Sequence, residues 1–98
     1  MAAPLTGPIN LSGSILVGGQ SQLLASASPS RTRFNLINID PTNDLWWSPL
    51  GAAGAYASGS VRIPANGGMI SFNGDAPGST YFVYGASTNQ KFTAWSDA

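Results

Sequence analysis

The chain has 98 residues and a formal net charge of zero, with eight charged side chains, no His, no Cys, no Glu and a single Lys. That composition excludes acid–base chemistry on His or Glu, a thiol nucleophile, a disulfide framework and a thiolate metal centre. It also excludes the basic field a nucleic-acid partner requires. Charged residues make up 8%, against about 25% in an average soluble protein, and an uncharged skin has little repulsion to keep it monomeric.

Ninety-eight residues suit one domain, and 43% hydrophobic residues can fill one core. Three Trp, three Tyr and four Phe set the chain apart from disordered sequences, which are poor in aromatics. Turn residues recur every eight to twelve positions, the rhythm of an all-β sandwich. The fold expected is a single antiparallel β-sandwich, jelly-roll or Ig-like, of about eight short strands and almost no helix.

Residues 1–11 are expected as an extended arm and 12–98 as the sandwich. Pro4 and Pro8 bar the start from a central strand, while Leu5 and Ile9 could pack on a neighbouring subunit. The stretch lacks a basic n-region, so it does not read as a signal peptide, and no apolar run approaches the ~20 residues that cross a bilayer. Ile9–Val17 reads as the first strand and Gln20–Ala25 as the second. Arg33–Ile39 is the strongest, with Phe34, Leu36, Ile37 and Ile39 apolar on both faces as in a central strand. The turn Asp40-Pro41-Thr42-Asn43-Asp44 returns the chain as a hairpin partner over Asp44–Ser48. A small-residue loop, Gly51–Gly59, leads to Ser60–Ile63. Pro64-Ala65-Asn66-Gly67-Gly68 is a further turn, and Met69–Asn73, Thr80–Tyr84 and Gln90–Trp95 complete the set.

Chemistry-bearing motifs are few. Asp40 and Asp44 are the only close carboxylates, and both stand where Asp caps a turn, so neither a Ca²⁺ site nor a glycosidase pair is expected. Gly51-Ala-Ala-Gly54 and Gly67-Gly68 lack the context of a phosphate loop. The sequon Asn10-Leu11-Ser12 has no secretory signal before it. Lys91 is the only base a Ser could use, and no motif supports that pair. Neither a catalytic residue, a metal nor a cofactor is expected.

The aromatics carry more information. Period-two alternation sends Leu45 and Trp47 to one face and Trp46 to the other. One Trp belongs to the core; the other is exposed or at an interface, where Pro49 and Tyr56 could join it. Such a surface suits a protein partner, in which Trp and Tyr are enriched, or a stacked glycan. Arg31 and Arg33 flank the central strand at an interface or a solvated edge. The interface candidates are Leu5, Pro8, Ile9, Arg31, Trp46, Trp47, Pro49 and Tyr56.

In order along the chain come Gln22-Leu-Leu-Ala25, Pro29-Ser-Arg31, Phe34-Asn-Leu-Ile-Asn38, Leu45-Trp46, Gly51-Ala-Ala, Gly59-Ser-Val-Arg-Ile-Pro64 and Gly67-Gly68. From Ser21 to Phe72 this series resembles small virion structural proteins of tailed bacteriophages. The resemblance implies a non-enzymatic β-sandwich, made in the host cytoplasm and located in the virion. There it would be a capsid decoration or cement protein that multimerises and docks on the lattice. The implied partners are further copies, as a trimer by analogy with capsid decorations, and the major capsid protein or another virion protein, with no nucleic acid and no membrane. The alternative is a receptor- or carbohydrate-binding module of a fibre or tail.

Overall fold

The computed structural model describes residues 9–98. They form nine strands and no helix: β1 (Ile9–Asn10), β2 (Gly13–Ser14), β3 (Gln22–Ala25), β4 (Arg33–Asn38), β5 (Leu45–Ser48), β6 (Val61–Ile63), β7 (Met69–Asn73), β8 (Tyr81–Gly85) and β9 (Lys91–Ser96). One sheet runs β1-β9-β4-β7, with β2 also on β9, and the other runs β3-β8-β5-β6. Every pairing is antiparallel.

The expected first strand is broken. Asn10 Oδ1 accepts the Ser12 N–H at 3.0 Å, a local bond that competes with the ladder, so Leu11 and Ser12 interrupt the run into β1 and β2. Beyond β2 only Ile15 enters the core, while Leu16 and Val17 lie exposed in the following loop.

With β1 and β2 counted as one interrupted strand, first pairs with last, second with seventh, third with sixth and fourth with fifth. Additional β4–β9 and β5–β8 ladders roll this long ribbon into two four-stranded layers. That is the jelly-roll order, and it decides between the two sandwich types expected. It also corrects the hairpin expected of β4 and β5. Both edges of β4 are taken by β7 and β9, so the chain crosses to the other sheet through residues 39–44.

Two buried side-chain amides hold that crossing. Asn38 Nδ2 donates to Asn43 O and Ile63 O at 2.8 and 3.0 Å, while its Oδ1 accepts the Asp40 N–H. Gln90 Nε2 donates to Asn43 O and Asp44 O. Gly85 makes room for this arrangement: a Cβ there would stand 2.5 Å from Gln90 Oε1.

Alternation fills the space between the layers. Phe34, Leu36, Phe92 and Ala94 point inward from the first sheet, and Leu45, Trp47, Ile63, Tyr81 and Val83 from the second. At the centre Phe34 and Trp47 stack at 5.8 Å, and Tyr81 meets them edge-on at 4.7 and 5.0 Å. Such geometries add to the burial of large rings.

Candidate interface

The structure separates the expected interface residues. Leu5 and Pro8 lie outside the described residues. Trp47 is 2% exposed and belongs wholly to the core, because Phe34 and Phe72 of the first sheet and Tyr81 of its own pack its ring between the layers. Arg31 is 3% exposed and is an internal strut. Both therefore leave the set of surface candidates. Ile9, Pro49 and Tyr56 remain at least partly accessible, and Trp46 occupies a position of its own.

Trp46 projects from the outer face of the second sheet, between Arg62 and Tyr84 in register. Alternation thus assigns the two Trp side chains to opposite faces as expected, yet Trp46 is only 6% exposed. The loop of residues 49–60 explains this. It leaves β5, reaches across the sheet until the Ala53 N–H donates to Ser21 Oγ at 2.9 Å, and returns to β6. Tyr56 then lies over Trp46 with ring centroids 4.6 Å apart. Tyr56 has φ 57°, a left-handed conformation uncommon for a bulky side chain. On the same loop Leu50 is 81% and Tyr56 83% exposed, so the loop covers one aromatic and displays two large side chains of its own.

A second apolar feature lies at the open side of the sandwich, where the β1 and β3 edges face each other. It is a groove of about 380 Å³ lined by Ile9, Leu11, Leu23, Leu24 and Ala25, with Arg31 at its end. Ile9 and Leu23 are half-exposed there.

At that end Arg31 gathers loop carbonyls. Its Nη2 donates to Ser26 O at 2.6 Å, Nη1 to Ser79 O at 2.9 Å and to Pro77 O at 3.5 Å, and Nε to Ala98 O at 3.3 Å. The guanidinium sits 4.2 Å from the Tyr81 ring centroid, a cation–π geometry. Residues 26–31, 77–79 and the C-terminus are thereby tied to one side chain. Only an always-charged, five-donor fork can do this.

Close by, Asp97 accepts from Thr32 Oγ1 and from the Thr32 and Arg33 N–H groups. These donors stabilise the carboxylate and lower its pKa from 3.8 to about 2. A depressed carboxyl pKa contributes stability that is present above the unfolded value and lost as pH falls through the folded one. Stability from this site is therefore complete above about pH 5 and declines between about pH 4 and 2. Urea titrations should show Asp97→Asn less stable than the parent at pH 7, with a shallower loss toward pH 2. Equal slopes would contradict this assignment.

The remaining carboxylates serve the fold. Asp40 accepts the Thr42 and Asn43 N–H groups, bonds that lower its pKa. Asp44 pairs with Arg62 at 2.8 Å and accepts the Ala65 N–H, and the Arg62 bond is the main cause of its own lowered pKa. Among the described residues no three His, Cys, Asp or Glu cluster as metal ligands would. Among the same residues, Arg33, Asp75 and Lys91 are the charged side chains with no hydrogen bond or ion pair. The surface instead displays Ile9, Leu16, Val17, Leu23, Ile39, Leu50, Tyr56, Val61, Met69 and Trp95.

Trp95, exposed on the outer face of the first sheet, lies outside the expected interface set, although alternation within Lys91–Ser96 places it there. Compared with protein-family models, with curated proteins and with solved structures, the chain matches none.

Proposed function

We propose that this jelly roll is a non-enzymatic structural protein of a phage virion. In this reading it multimerises and docks on the capsid lattice as a decoration or cement protein. The observation that carries the reading is the surface itself: ten large apolar side chains are exposed, while most of the eight charges are buried, paired or bonded to backbone. A neutral skin studded with apolar side chains has little charge to desolvate against a partner. The sequence resemblance supplies the virion context, and the jelly roll is a fold that capsid proteins share with lectins and other binding domains.

The fibre or tail receptor-binding alternative loses most of its aromatic platform, since Trp47 is internal and Trp46 is covered. Of Trp46, Trp47 and Tyr56, only Tyr56 keeps an open ring. The test is co-purification: the protein should band with mature particles in a density gradient at a fixed copy number per capsid. Absence from the particles, or glycan-array binding abolished by Tyr56→Ala, would overturn the decoration reading in favour of the alternative.

A further inference from the structure

The two sheets have four edges, and three carry devices that discourage pairing with another chain. The β1/β2 edge is broken at Leu11 and Ser12, where the Ser12 hydroxyl is bonded to Ala94. The β3 edge has a bulge between Leu23 and Ala25, and the Gln22 side chain is tied across to Ser14 O and the Leu16 N–H. The β6 edge is three residues long, carries Arg62 and stops at Pro64. The fourth edge, β7, has none of these. Its sequence Met69-Ile-Ser-Phe-Asn73 holds no charge and no Pro, and it keeps unbroken register with β4 over all five residues.

The phase of the β4–β7 ladder fixes which groups are free. The Asn38 N–H donates to Gly68 O and the Gly74 N–H to Thr32 O. Antiparallel alternation then turns the backbone groups of Ile70 and Phe72 toward β4 and those of Met69, Ser71 and Asn73 outward. Among the described residues these three N–H and three C=O groups have no partner.

We propose that β7 pairs with β7 of a second copy, antiparallel about a two-fold axis through Ser71. The pairing deepens the assembly reading above and rests on it for its biological sense. The register follows from the free groups: Ser71 meets Ser71 of the partner subunit, and Met69 meets Asn73 of the partner subunit, and conversely. All six outward groups are satisfied at once. The strand is self-complementary under this operation, as an isologous interface requires, because no like charges face each other. On the core side Ile70 comes opposite Phe72 of the partner subunit, covering two apolar residues now only partly buried. The two β7-bearing sheets merge into one, and the oligomer expected is a dimer in place of the trimer expected by analogy.

Ser71 supplies two opposite tests. Pro is tolerated on an edge strand where its nitrogen faces solvent, so Ser71→Pro should leave the monomer folded while removing two of the six intermolecular bonds. Sedimentation velocity over a concentration series should show dimers for the parent and a weaker association for the variant, with Kd raised by about 5- to 150-fold. Ser71→Cys introduces the only cysteine of the chain. Hydrogen-bonded pairs place Cα atoms about 5.5 Å apart, within disulfide range, so mild oxidation should trap a covalent dimer, whereas Ser26→Cys, on an exposed loop, should not cross-link. A parent that oligomerises identically with Ser71→Pro, or forms trimers, overturns the β7 site and leaves the assembly reading standing. A parent monomeric throughout overturns the self-association in both.

Discussion

Arg31→Ala should be the most damaging single truncation on this protein's polar side. It removes the donors to the carbonyls of Ser26, Ser79 and Ala98 and the cation over Tyr81. Hydrogen bonds made by a charged group are worth about 1.5–3 kcal/mol each, so losing several at once should cost about 3 kcal/mol or more, a large share of the 5–15 kcal/mol typical of a whole domain. The melting temperature should fall by at least ~12 °C, at about 4–8 °C per kcal/mol for a domain of this size. Arg31→Lys should recover little, because a point-like ammonium cannot span carbonyls that approach from several loops. Arg33→Ala, whose side chain is exposed and unpartnered, should change stability by no more than about 0.5 kcal/mol. Calorimetry of the three variants checks the order; an Arg31→Ala protein melting with the parent would show that those carbonyls are served by solvent.

The two adjacent tryptophans should differ sharply. Trp47 is packed by Phe34, Phe72 and Tyr81 from both sheets, so Trp47→Ala opens a cavity at the centre and should cost about 3–5 kcal/mol. Trp46 is buried too, but beneath a loop that can settle. Its loss should cost about 1–3 kcal/mol, since the penalty depends on how far a site can collapse. The distinguishing readout is local: Trp46→Ala should raise protease cleavage and hydrogen exchange within residues 49–60 while leaving the core strands protected. Equal global losses would mean that the loop and the core unfold as one unit.

Strand positions were legible because alternation and turn chemistry are local: Arg33–Asn38 and Met69–Asn73 are readable from their own residues. Which strand lies beside which was not, since the hairpin suggested by Asp40–Asp44 gives way to ladders formed by β7 and β9, far along the chain. Arg31 is the clearest failure among the site residues. A lone Arg beside a strand is mostly exposed, and only the convergence of two loops and the last residue, Ala98, makes burial worthwhile. The roles of Asn38 and Gln90 are illegible in the sequence for the same reason, as each closes a contact across the crossover. The opposite faces of Trp46 and Trp47 followed from period two, but the cover over Trp46 depends on a loop of small residues with no pattern to read. The bare edge of β7 was written in its uncharged sequence, yet it acquires meaning only once the topology shows that β7 is an edge.

The proposed decoration role requires this neutral, apolar-studded surface to be covered by other protein in a virion. Cryo-microscopy of the mature particle tests it most directly. Jelly-roll density is expected on the capsid at stoichiometric occupancy, with Leu50 and Tyr56 or the other exposed apolar side chains buried against a neighbour. Particles that lack the chain, or that carry it with those side chains facing solvent, would contradict it.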